Sequence, residues 1–169
     1  MSPKPRRAPG NRSHLQRLAN AAAADAQMPA GRYQRWINTH IIAAVLDRVR
    51  EDGEPLFTLK GGAAMELRLG IGARASKNYD AAFRAPADDM LDALDRALAE
   101  DWHGFQLQRT EPEPIRETRA IRTDIRIAYK GRSWGAEVAC LHDSAAWRNG
   151  GHGCRRSRWR RRASGRCRV

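Results

Sequence analysis

Leu59-LKGGAAMELRLGIGARASKNYDAAFR-Arg84 is the stretch on which the fold reading turns. It opens with a Gly pair, Gly61-Gly62, directly after a short apolar run, Leu56-Phe57-Thr58-Leu59, which reads as a buried strand. Ala63 to Leu69 is then helix-compatible, and Gly70-Ile71-Gly72 breaks it. Arg74 to Lys77 leads into a second strand, Tyr79 to Phe83, which Pro86 closes. A Gly pair between strand and helix has a physical use. Without a Cβ the backbone can approach a phosphate closely, and the helix N-terminus adds N–H groups and the positive end of a dipole. Asp80 supplies a carboxylate in the partner strand. Two carboxylates at i and i+2 on a strand point the same way and can grip a divalent metal against a triphosphate. Position 78, where the first of that pair would stand, is Asn.

Working outward, Ser13 is the expected N-cap of a weak Ala-rich helix through Leu15, Leu18, Ala19 and Ala22, which Pro29-Ala30-Gly31 ends. A stronger helix is expected from about Arg32 to Glu51, with Tyr33, Trp36, Ile37, His40, Ile41, Ala44, Val45 and Val49 at three-and-four spacing. His40 lies on that stripe and reads as a buried, hydrogen-bonded core residue. Downstream, Asp88 to Glu100 is amphipathic, with Met90, Leu91, Leu94, Ala97 and Leu98 on one side. Phe105 to Leu107 is a short strand, and Glu111-Pro112-Glu113-Pro114 a stiff connection. Ile121 to Tyr129 alternates apolar and polar, Lys130-Gly131-Arg132 turns, and Trp134 to Leu141 returns as the second strand of a hairpin. Asp124 faces away from the Ile side of its strand and is the expected third acid, with Glu137 as its rival. The element order predicts an α/β (α+β) fold, a mixed sheet flanked by helices. The expected division is a disordered leader over 1–12, N-terminal helices over 13–55, a core over 56–141 and a basic, disordered tail over 142–169.

The chain has 169 residues and a net charge of +12, with eight Arg and no acid between Asn149 and Val169. Most of the excess charge therefore belongs to the tail, and the remainder is a mildly basic domain. Polyanions such as nucleotides or RNA are the expected partners. No secretory signal and no run near the ~20 apolar residues of a membrane span is present, so a cytoplasmic protein without membrane attachment is expected. Cys140, Cys154 and Cys167 do not make a disulfide framework. Cys140-x-His142 and His152-x-Cys154 have zinc-ligand types without the spacing of a usual zinc motif.

Leu59-Lys60-Gly61-Gly62, Leu67-Arg68-Leu69-Gly70 and Arg74-x-Ser76-Lys77-x-x-Asp80 together resemble the AbiEii/MenT type of nucleotidyltransferase toxin, within the DNA-polymerase-β-like nucleotidyltransferase superfamily. That type carries Gly-Gly-(Thr/Ala), then Arg-x-Ser-x-Asp-x-Asp. The resemblance spans roughly 33–138. It implies an enzyme that uses an NTP and Mg²⁺ to modify RNA, in some members the tRNA 3′ end, paired with an AbiEi-type antitoxin. By position it implies phosphate contacts from Gly61 and Gly62, with Lys60 beside them. It also implies metal binding by Asp80, nucleotide orientation by Arg74 and Ser76, and a phosphate contact from Lys77. Two departures stand out. Asn78 replaces the leading Asp, which removes a negative charge from the site and is expected to impair it. The helical C-terminal half usual in the type is expected to be missing. In its place runs GGHGCRRSRWRRRASGRCRV, whose composition suggests out-of-frame reading of GC-rich DNA, or RNA contact by charge and stacking. Alternatives for the whole chain are a non-catalytic remnant of the fold and a basic RNA-binding protein.

Overall fold

The computed structural model describes residues 8–72, 78–118 and 120–143. Helix α1 spans Arg12–Asp25 and α2 spans Ala30–Leu46. Asn11, rather than Ser13, caps α1, its side-chain oxygen accepting from the His14 N–H at 2.9 Å. This satisfies one of the helix's orphan donors two residues earlier than expected. Helix α2 stops at Leu46, short of Glu51. Arg50–Glu51 (β1) instead pairs antiparallel with Glu54–Pro55 (β2) around a turn in which Asp52 and Gly53 both have positive φ. Then come β3 (Phe57–Lys60), α3 (Gly61–Leu69), β4 (Tyr79–Phe83), a short 3-10 turn and α4 (Met90–Ala99). β5 (Phe105–Arg109), β6 (Glu113–Pro114), β7 (Ala120–Tyr129) and β8 (Arg132–Asp143) follow.

The main sheet runs β3-β4-β8-β7-β5, with β6 also pairing with β7. β4 and β8 are parallel; the other pairs are antiparallel. The mixed sheet with helices is thus an α/β nucleotidyltransferase-like architecture. Helices α2, α3 and α4 pack on one face. The core there joins Tyr79, Ala81 and Phe83 of β4, Ala139 and Leu141 of β8, and Ile125 and Ile127 of β7. Helix α2 adds Ile41, Ile42, Val45 and Leu46; α4 adds Met90, Ala93, Leu94, Ala97 and Leu98. Each large apolar side chain buried this way contributes about 1.5–3 kcal/mol. Two turns of α2 therefore anchor it more firmly than its weak Ala-rich neighbour α1, which offers only Ala19 and Ala23 as buried residues.

The buried stripe of α2 is rotated from the expected one. Asn38 and Thr39 are buried beside Ile41 and Ile42, and His40 is half-buried, its Nδ1 2.8 Å from the Trp36 carbonyl. Arg48 just beyond α2 closes the far end of α4, its guanidinium donating to the carbonyls of Ala97 (3.1 Å) and Glu100 (3.0 Å). A cation there answers both the orphan carbonyls and the negative end of the helix dipole.

The β7–β8 hairpin holds the fold's main irregularity. Its turn pairs Tyr129 with Arg132 and Ala128 with Ser133, but Ile127 pairs with Gly135. Trp134 is the extra residue, a β-bulge that shifts every pair beyond it by one. Its side chain is buried, and its indole N–H donates to Asn38 Oδ1 at 3.0 Å.

Candidate nucleotide site

Strand β3 delivers Lys60 and Gly61 to the start of α3. Gly61 has φ +58°, in the left-handed region that only Gly enters freely. A Cβ built there would lie 2.9 Å from Asp80 Oδ2. The antiparallel register explains the closeness, since Lys60 is the cross-strand partner of Asp80. The glycine turn and the carboxylate therefore touch, leaving no room between them for a side chain. Gly62 lies in the first turn of α3, whose N-cap, Lys60, makes no side-chain capping bond. The first N–H groups of α3 have no side-chain cap and no acidic residue in that turn to answer the dipole.

Alternation along the strands sorts the remaining candidates. Tyr79 points into the helix-covered core, where burial pushes its hydroxyl above the usual tyrosine range. Asp80, its neighbour, points to the other face, on which no helix of the described residues packs. On that face Asp80 pairs with Cys140 of β8, and Cys140 with Arg122 of β7. Asn78 precedes β4, and its Nδ2 lies 4.0 Å from Cys140 Sγ. Asp124 is exposed on the same face, opposite Val138, one strand beyond β8.

Glu137 is on the opposite face. It pairs with Ile125 and accepts from Asn38 Nδ2 at 2.8 Å. Burial raises its carboxyl above the ordinary range, a shift that the Asn38 hydrogen bond and nearby Arg35 oppose and Glu66 reinforces. It does not join Asp80. Arg74, Ser76 and Lys77 lie outside the described residues, as do His152 and Cys154 of the zinc reading. The structure thus brings together Lys60, Gly61, Asp80 and Asn78, sets Asp124 two strands from Asp80, and sends Glu137 to the core side.

Two neighbours of Asp80 were not singled out as site residues in the sequence. Cys140 is buried, and its thiol is pushed up by burial and by the Asp80 charge, while Arg122 pulls it down. Arg122 is exposed. Only the parallel β4–β8 register could have placed Cys140 beside Asp80, and only the hairpin register, bulge included, could have set Arg122 opposite Cys140.

The donor set bears on a metal. Among the described residues no three His, Cys, Asp or Glu side chains are grouped as a metal cage. Asp80 offers one charged oxygen pair and Asn78 a neutral amide oxygen. Mg²⁺ is commonly held by one or two carboxylates plus substrate phosphates. The residues present therefore suit an ion that arrives with a nucleotide better than a resident one.

A mixed sheet with a glycine turn set against a strand carboxylate defines a nucleotidyltransferase-like protein. Residues 44–144 match the family described as nucleotidyl transferase AbiEii toxin, type IV TA system, and the chain belongs to that family. No curated protein matches it. Membership brings a nucleotide substrate and an antitoxin partner at the level of the family. Among the described residues no helix is long and apolar enough to cross a membrane.

Proposed function

We propose that the chain transfers NMP from an NTP to RNA, with tRNA as the acceptor, in the cytoplasm, and that an AbiEi-type antitoxin restrains it. The observation that carries this reading is the contact between Gly61 and Asp80, 2.9 Å from a would-be Cβ to the carboxylate oxygen. A phosphate held by the N–H groups of Gly61 and Gly62 lies beside a carboxylate able to share a Mg²⁺ with it. In this reading Lys60 and Lys77 balance phosphate charge, and Arg74 and Ser76 orient the nucleotide. Asp80 and Asn78 hold the ion, and Asp124 is the third acid. Mg²⁺, when bound, neutralises charge on the transferring phosphoryl group. Asn78 brings no charge, so the site is weaker in metal affinity and slower than one with Asp at that position.

The test is a transfer assay with labelled NTPs and total tRNA, comparing wild type with Asn78→Asp. The expected result is faster labelling by Asn78→Asp, by about tenfold or more, in line with the value of one well-placed charged group in a site. No transfer by either protein, both folded, would sink the enzymatic reading.

A second reading is a non-catalytic remnant that still binds nucleotide or antitoxin. The lack of a three-residue metal cage among the described residues favours it. Its signature is saturable NTP binding by calorimetry without turnover.

A further inference from the structure

We propose that Arg122 is a further nucleotide-binding residue of this site, which takes the polyphosphate at the end remote from Gly61. The inference rests on the nucleotide reading above. The register runs Lys60 to Asp80, Asp80 to Cys140, and Cys140 to Arg122, across β3, β4, β8 and β7. Directly paired residues project to the same face. The four side chains therefore stand in one row, on the side of the sheet away from the core joined by α2 and α4.

Neighbouring strands are ~4.8 Å apart, so Arg122 starts about 10 Å from Asp80, with Cys140 between them. A thiol in the middle place is small. Being short and buried, it does not project between the two ends of the row as a long side chain would. Arg122 is exposed, and its side chain makes no hydrogen bond or ion pair with another described residue, its β6 neighbour Glu113 included. A guanidinium has five donors and a fork that matches phosphate oxygens. With Lys60 at one end and Arg122 at the other, the row presents two cations about a single carboxylate. That charge order suits a polyphosphate with its metal seated over Asp80. Arg126 shares the face, but its row holds Ala136 and Gln108 and no acid, so it has no such role.

The experiment is calorimetric titration of the full chain with each NTP plus Mg²⁺, and with inorganic tripolyphosphate. Arg122→Gln is expected to weaken both by about tenfold or more, the worth of a charge-assisted hydrogen bond. Arg122→Lys is expected to recover part of the loss, and Arg126→Gln to stay within about twofold of wild type. Unchanged affinity in Arg122→Gln, alongside lost binding in Asp80→Ala, would overturn the role of Arg122 and leave the nucleotide reading standing. If wild type binds neither NTP nor tripolyphosphate, both fall. Circular dichroism of each variant verifies the fold, which an exposed side chain on β7 does not support.

Discussion

Replacing Gly61 with Ala probes the closest contact in the site, and its effect separates into two parts. The first belongs to the backbone. At φ +58° an L-residue pays about 1–2 kcal/mol that Gly does not. The second belongs to Asp80. The new Cβ would meet Oδ2 at 2.9 Å, while the Asp80 Cβ and Cγ are both at 3.7 Å, an ordinary contact distance. Only the tip of the carboxylate must move. Rotating it away from its preferred χ values costs roughly 0.5–1.5 kcal/mol. Gly61→Ala is thus expected to destabilise the fold by about 1.5–3.5 kcal/mol, and to turn aside the carboxylate on which metal and nucleotide depend.

Asp80→Ala removes Oδ2 and keeps a Cβ at the tolerated 3.7 Å. In that background Gly61→Ala should cost only the backbone part. Urea denaturation of the wild type, both single variants and the double variant closes the cycle. The expected coupling is roughly 0.5–1.5 kcal/mol, above the ~0.3–0.5 kcal/mol within which independent sites add. A coupling inside that band would show that the turn and the carboxylate do not touch. A Gly61→Ala protein that keeps wild-type NTP affinity would separately refute the claim that the turn fixes Asp80 for binding.

Three further outcomes follow from the contacts around this site. Asn38→Ala removes the partner of Trp134 Nε1 (3.0 Å) and of Glu137 Oε1 (2.8 Å) at once; stranding these groups is expected to cost about 2–4 kcal/mol in chemical denaturation. Glu137 has a folded-state pKa raised by burial above its ordinary value. Its contribution to stability is therefore fully present below the ordinary carboxylate pKa and is lost as pH rises through the raised value, and stability measured against pH should lose that fall in Glu137→Gln. The Cys140 thiol, held up by burial and by Asp80, should alkylate slowly. Asp80→Asn should speed iodoacetamide labelling of Cys140, followed by mass spectrometry, and Arg122→Gln should slow it; equal rates in all three proteins would place the thiol out of reach of both charges.

How far the site could be read in advance depends on which residues one asks about. The Gly pair after an apolar run, and Asp80 in the next one, are local patterns. Strand pairing then had little choice but to set Lys60 against Asp80, because a nine-residue helix and a short link separate two short strands. The alternation of Ile121, Thr123, Ile125 and Ile127 likewise announces β7 and the face that Asp124 occupies. Register across the hairpin is not local in the same way. Continued regularly from Tyr129 opposite Arg132, the pairing would set Asp124 opposite Glu137, on one face, and the two acids would look like rivals for one place. The bulge at Trp134 moves the pairing by one, so Val138 stands opposite Asp124 and Glu137 joins Ile125 on the core side. What draws Trp134 inward is a buried place in the core and a hydrogen bond to Asn38, a buried polar residue of α2. Neither partner marks itself in the sequence, because a bulge is chosen by what the tertiary structure offers the extra side chain. The same shift is what sets Arg122 opposite Cys140, and so into line with Asp80, which the parallel β4–β8 register pairs with Cys140. The site's fourth strand was therefore set by packing on the far side of the sheet, 96 residues away in sequence from the strand that it moved.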